Sequence, residues 1–191
     1  MSPGRHVHEE LTSKQLSSRT WPDFEKLFAR HGGVWGGCWC MFFHSPVGFD
    51  ASAYEKNRRA KKRLVREGKA HGSLVYCAGE PVGWCQFGPK EELPHIDRKR
   101  GYVQTDDGAW RITCLFIARD HRRSGVARAA VRDSVEAMRK MGIASVEAYP
   151  VEGTRSATLL WSGTPSLFEG FGFAKVRKLG KTSWIYSLAL R

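Results

Sequence analysis

Between Arg122 and Ala127 the chain reads Arg-Arg-Ser-Gly-Val-Ala, placed after an apolar run and at the start of a helical pattern. Residues of these types can hold a phosphate. Gly125 and Ala127 would let a ligand approach the backbone closely. The first-turn N–H groups of a helix have no intrahelical partner, and the macrodipole favours negative charge there by ~0.3–1 kcal/mol. Arg122, Arg123 and Arg128 can add charge-assisted hydrogen bonds. The stretch is therefore an anion cradle suited to a pyrophosphate. The hexapeptide alone fits a plain turn ahead of a surface helix better than it fits a ligand site, so its flanking elements decide between the readings.

Other residues could serve a reacting amine. Glu147, in the apolar run Ala144–Tyr149, could take a proton directly or through water, and strand alternation offers it either of two faces. His44 and His121 are further bases. Cys38-Trp39-Cys40 followed by His44 would need Cys77, Cys85 or Cys114 to complete a metal site, and the Cys-x₂-Cys pairs usual for zinc are missing. No metal is expected.

The elements that must position these groups follow from periodicity and punctuation. Leu11–Leu16 predicts a first strand, and Thr20 caps a helix reaching Arg30 with Trp21, Phe24, Leu27 and Phe28 on one side. A glycine- and aromatic-rich stretch, Gly32–His44, precedes a basic helix from Ala51 to Glu67. Strands follow at Gly72–Cys77 and Val82–Phe87 about a turn at Gly79–Pro81. Residues Gly88–Gly108 read as a long loop. Arg111–Ile117 is an apolar strand, Gly125–Met141 an amphipathic helix, Ala144–Tyr149 a strand and Pro165–Gly170 a short helix. A hairpin from Phe173 to Leu190 ends the chain. This order predicts an α/β fold, with a mixed, mostly antiparallel sheet of about seven strands flanked by helices.

Bulk properties agree with one packed domain over residues 1–191, with residues 1–9 flexible. The hydrophobic fraction is 41% and the aromatic fraction 12%. No apolar run spans a bilayer, no secretory signal is visible, and five sparse cysteines predict reduced thiols in the cytoplasm. The net charge of +12 favours anionic partners. Eight basic residues against two acids in Glu55–Lys69 read either as a solvated helix face, with Leu64 and Val65 inward, or as a funnel for a phosphorylated ligand.

Set in this order of elements, two motifs resemble those of the GCN5-related N-acetyltransferase (GNAT) superfamily. The first is the strand Leu115-Phe116-Ile117 followed by Arg122-x-x-Gly125-x-Ala127 and a helix. The second is Phe168-Glu169-Gly170-Phe171-Gly172-Phe173. The resemblance implies acetyl-coenzyme A as co-substrate and a small-molecule or peptide amine as acceptor. It implies that the amides of Arg123, Ser124, Gly125, Val126 and Ala127 bind the pyrophosphate. Phe116 and Ile117 would pair with the pantetheine arm, and Phe168 would lie beside the cofactor. The strands at Cys114–Ile117 and Val146–Tyr149 would splay apart to admit the thioester. It further implies an acceptor wall from the segment after the first helix, where Trp35, Trp39, Met41, Phe42 and Phe43 would supply an apolar or aromatic lining. Trp39, Cys40, Trp84 and Cys114 are the acceptor-site candidates, although an aromatic core plug explains the same residues.

The sequence departs from the family where a tyrosine usually protonates the departing thiolate: that position is Phe168. The asparagine common seven residues earlier is Trp161. Ser166, Thr164 and Tyr149 are substitute acids. A free thiol's pKa of ~8.5 also lets the thiolate leave without one. The competing readings are a coenzyme A-binding or sensing protein without catalysis and, less favoured, a basic nucleic-acid-binding module. The oligomeric state is open, a homodimer included.

Overall fold

The computed structural model describes residues 10–46, 49–99, 101–103, 105, 107–153 and 157–191, so the flexibility expected of residues 1–9 lies outside the described residues. Seven strands make one sheet: β1 (Leu11–Gln15), β2 (His71–Cys77), β3 (Glu80–Pro89), β4 (Trp110–Ile117), β5 (Ser145–Ala148), β6 (Ala174–Lys178) and β7 (Trp184–Ala189). They lie in the order β1-β2-β3-β4-β5-β7-β6. Only β4 and β5 run parallel, so the sheet is mixed and mostly antiparallel, as the sequence predicts.

Four helices accompany it: α1 (Trp21–Arg30), α2 (Tyr54–Arg66), α3 (Val126–Lys140) and α4 (Pro165–Glu169). On α1 the residues Trp21, Phe24, Leu27 and Phe28 are all buried, the stripe that their spacing predicts. Thr20 occupies the N-cap, yet its hydroxyl donates to Gln15 O and accepts from Ser17 N, tying the helix start to β1. Successive residues of β3 face opposite ways. Trp84 packs on Phe24 and Phe28 of α1, and neighbouring Gly83 meets Val126 of α3. Helices α1 and α3 therefore cover opposite faces. No helix among the described residues is long and apolar enough to cross a membrane.

Three sequence expectations need correction. The β2–β3 turn is Ala78-Gly79, both at positive φ as a two-residue hairpin of the primed type demands, and Glu80 and Pro81 already belong to β3. The expected loop after β3 contains two 3₁₀ turns, Lys90–Glu92 and Pro94–Arg98. Buried cations organise it. The Arg111 guanidinium donates to Lys90 O (3.2 Å) and Leu93 O (2.8 Å) and pairs with Asp97, while Lys90 binds Asp107 at 2.7 Å. The third correction concerns the strand gap. Trp110, Arg111 and Ile112 pair with Val146, Glu147 and Ala148, so the splay starts beyond Ile112 and Ala148 and leaves Val146 paired. Apart from Thr113, which the ladder skips opposite Gln86 and Phe87, β4 stays paired with β3 along its whole length.

Candidate active site

Where β4 leaves β5, a cleft of about 1110 Å³ opens. That is large even against the ~300–1,000 Å³ of small-molecule sites. Leu115, Phe116 and Ile117 of β4 form its floor. The segment 119–128 forms one wall, and Leu160, Trp161, Gly163, Thr164 and Leu167 form another. His31, Val34 and Trp35, just past α1, complete it.

The wall at 119–128 has the geometry that its residues predict. Gly125 is the N-cap of α3 at φ 86°, a left-handed conformation that glycine adopts without strain. The first helical bond runs from Ala129 N to Gly125 O, leaving the amides of Val126, Ala127 and Arg128 without helical partners. No acidic side chain enters the first turn. Arg119, Arg122, Arg123 and Arg128 all reach the cleft. Of the expected cofactor residues, Phe116, Ile117, Arg122, Arg123, Gly125, Ala127 and Arg128 thus line one space. Ser124 is exposed and its hydroxyl donates to His121 O, while the Val126 side chain turns under the sheet. Phe168 is buried against Phe173 and the backbone of Gly163, beneath the cleft instead of in it.

The segment after α1 runs left-handed. Residues Gly32, Gly33, Val34, Trp35, Gly36 and Gly37 all have positive φ. For Val34 and Trp35 this costs roughly 1–2 kcal/mol each. Asn57 of α2 offsets the cost by donating to Gly37 O and Asp50 O, both at 2.9 Å. The result is an indole, Trp35, left 52% exposed at the cleft rim. Beside it His31 Nε2 is buried with no hydrogen-bond partner. Burial, then the Arg30 charge, lowers the His31 pKa. The glycine spacing signalled irregular backbone but not its hand.

The four acceptor-site candidates lie one layer behind the cleft. Trp39 and Trp84 are sealed among Phe24 and Phe28. Cys40 and Cys114 bring their sulfurs within 3.2 Å. Around them sits a polar cluster that the basic pattern of α2 hid, because Lys61 is 0% exposed. Its Nζ lies 2.9 Å from His44 Nε2, which Gln86 Nε2 also meets at 2.8 Å. His44 Nδ1 lies 2.8 Å from Glu92 O; as a donor there it leaves Nε2 an acceptor for both. Burial, then the Lys61 charge, holds His44 well below its usual pKa, and burial lowers Lys61 to about 8. Among the described residues no three His, Cys, Asp or Glu come together to hold a metal.

Glu147 also stands apart from the cleft lining. It is buried, accepts the Tyr149 hydroxyl at 2.6 Å and lies 3.6 Å from Lys90 Nζ. Tyr149 in turn accepts from Arg111 Nε at 3.0 Å, so both sides of its hydroxyl are engaged. Burial holds the phenol protonated. Of the substitute acids, Thr164 reaches the cleft but caps α4, accepting from Leu167 N. Ser166 is exposed and shares a hydrogen bond with Thr164.

The sequence profile of the acetyltransferase (GNAT) family matches residues 35–161. No curated protein sequence matches. Among solved structures, the fold is similar to an N-acetyltransferase from Staphylococcus aureus Mu50, at 10% identity and TM-score 0.57, covering 95% of this chain and 99% of that one. An acetyltransferase from Thermus thermophilus aligns at 18% identity and TM-score 0.55, over 94% and 96% of the two chains. The GNAT family N-acetyltransferase YhbS from Escherichia coli, in complex with CoA, aligns at 16% identity and TM-score 0.53, over 100% and 85%.

Proposed function

Because the chain belongs to the acetyltransferase (GNAT) family, we propose that its cleft binds acetyl-coenzyme A and that the acetyl group passes directly to a primary amine of a small molecule or peptide. The observation that carries this reading is the first turn of α3, with unpartnered amides at the mouth of the β4–β5 splay and arginines around them. The residues fit the group. Val126, Ala127 and Arg128 amides with Arg122 and Arg123 would hold the pyrophosphate. The strand end Phe116–Ile117 borders the splay, where β5 no longer pairs with β4, and His31 stands beside it in the lining.

Acetyl-coenzyme A supplies the activated acyl group; the protein supplies position. Leu115, Phe116, Trp161 and Leu167 exclude water from the splay, and alignment of the reacting groups is itself a large source of rate. Phe168 donates no proton, so the thiolate leaves on the strength of its own low basicity. Glu147 is a positioning residue in this reading, holding Tyr149 in place at the end of β5.

Thermal stabilisation by acetyl-coenzyme A, followed by thiol release over an amine panel, tests the reading. Wild type is stabilised and turns over at least one amine, while Gly125→Trp, which has open space at its Cβ but is strained at φ 86°, folds with a lower melting temperature and is not stabilised by the ligand. Equal stabilisation of both proteins overturns the cradle. Stabilisation without turnover on any amine favours the coenzyme A-binding reading, which the buried Phe168 supports.

A further inference from the structure

We propose that Cys40 and Cys114 form a peroxide-sensitive dithiol that closes into a disulfide and clamps the wall after α1 onto β4, at the inner side of the cleft. Their sulfurs, 3.2 Å apart, need approach by only about 1.1 Å to reach the ~2.05 Å of a disulfide. Both are buried, Cys40 at 2% and Cys114 at 8% exposure. They join segments far apart in sequence, and Cys114 immediately precedes the cleft residue Leu115.

Lys61 gives the pair its chemistry. It is a wholly buried ammonium with no carboxylate at ion-pair distance among the described residues, and its only hydrogen-bond partner there is His44. A buried charge without a counter-charge is costly. A thiolate at Cys40 would supply one. Burial opposes that thiolate, yet the hydrogen bond between the two thiols and the Lys61 charge more than offset it, so the Cys40 pKa is lowered. Electropositive surroundings of this kind favour the thiolate, which is the nucleophilic form.

The co-reactant is a hydroperoxide, ROOH. The Cys40 sulfur attacks the distal oxygen, the O–O bond breaks, and the alkoxide RO⁻ leaves and takes up the proton that the Cys40 thiol releases, giving ROH and Cys40 sulfenic acid. The Cys114 sulfur then attacks the Cys40 sulfur. An S–S bond forms, the S–O bond breaks, and hydroxide takes the Cys114 proton as water. Two thiols lose two electrons and the peroxide gains them.

The test treats the folded full chain with hydrogen peroxide, blocks free thiols under denaturing conditions and maps peptides by mass. Wild type yields a Cys40–Cys114 cross-linked peptide, two hydrogens lighter than its parts and reversed by dithiothreitol. Cys38→Ser yields the same product. Cys114→Ser does not cross-link and accumulates Cys40 sulfinic acid. Lys61→Met keeps both thiols but cross-links at least tenfold more slowly. A Cys38–Cys40 product, oxidation no faster than that of the unfolded chain, or an unchanged rate in Lys61→Met overturns the proposal. The peptide map does not depend on ligand binding, so its outcome is separate from that of the acetyl-transfer reading.

Discussion

Val126 Cγ1 lies 2.4 Å from the point where a Cβ on Gly83 would stand, so the first turn of α3 rests on the bare backbone of β3. The height of that helix above the sheet sets where its free amides meet a ligand. Gly83→Ala should therefore cost ~1–3 kcal/mol of stability through overpacking. It should also weaken coenzyme A binding by calorimetry. Adding Val126→Ala relieves the clash, so the double variant should recover binding, a non-additivity expected of residues in contact.

The arginines of the cradle act through charge. Replacing Arg122, Arg123 or Arg128 by alanine should weaken coenzyme A binding about tenfold each, or ~1.4 kcal/mol. The loss should shrink as salt rises, because these side chains are partly solvated. Titrations at low and high ionic strength check both. A loss independent of salt would point to shape instead of charge.

Lys61 offers a prediction with a definite sign. Burial lowers its pKa from 10.5 to about 8, so the folded state holds the proton less tightly than the unfolded chain does. The resulting penalty, about 3 kcal/mol, is full below about pH 8 and gone above 10.5. Methionine carries no such penalty. Lys61→Met should be more stable than wild type at pH 7, and urea denaturation should show the difference vanishing as pH rises from 8 to 10.5. Comparing the two proteins cancels the titration of groups remote from Lys61; Cys40 and His44, whose pKa values its charge lowers, do not cancel, so the comparison is repeated in a Cys40→Ser background.

Glu147→Gln separates positioning from base catalysis. A lost general base costs ~10²–10⁴ in rate and removes the acid limb of the pH profile. We expect kcat to fall less than tenfold with the acid limb intact, because the carboxylate is occupied by Tyr149 and Lys90. Tyr149→Phe should reproduce the effect. A thousandfold loss with a flattened profile would make Glu147 the base.

Much of this site is visible in the sequence because it rests on short-range rules. Gly125 before an apolar helix, and arginines on the turn ahead of it, fix a helix start with free amides among positive charges within a dozen residues. The succession of strands and helices along the chain follows similarly from alternation and turn residues. Three-dimensional convergence is not visible. Lys61 sits among eight basic residues, and nothing local says which one turns inward; only the meeting of α2 with Cys40, His44 and Gln86 decides it. Likewise the stretch after Gly88 looks like loop because its order comes from Arg111 on the neighbouring strand. The segment Ala157–Ser162, which walls the cleft, carries no strong periodicity by which to predict it.

The three residue pairs joining β4 to β5 have a mechanical consequence. Among the described residues they are the only ladder between a four-stranded sheet, β1 to β4, and a three-stranded one, β5 with β7 and β6. A ladder of three pairs resists bending less than the longer ones on either side, so flexing of one half-sheet against the other should concentrate there and change the width of the cleft. Arg111 and Glu147 face each other across the seam and also anchor the segment after β3, through Leu93 and Lys90. That segment therefore acts as a spring on the hinge, and its amide exchange should follow that of β5.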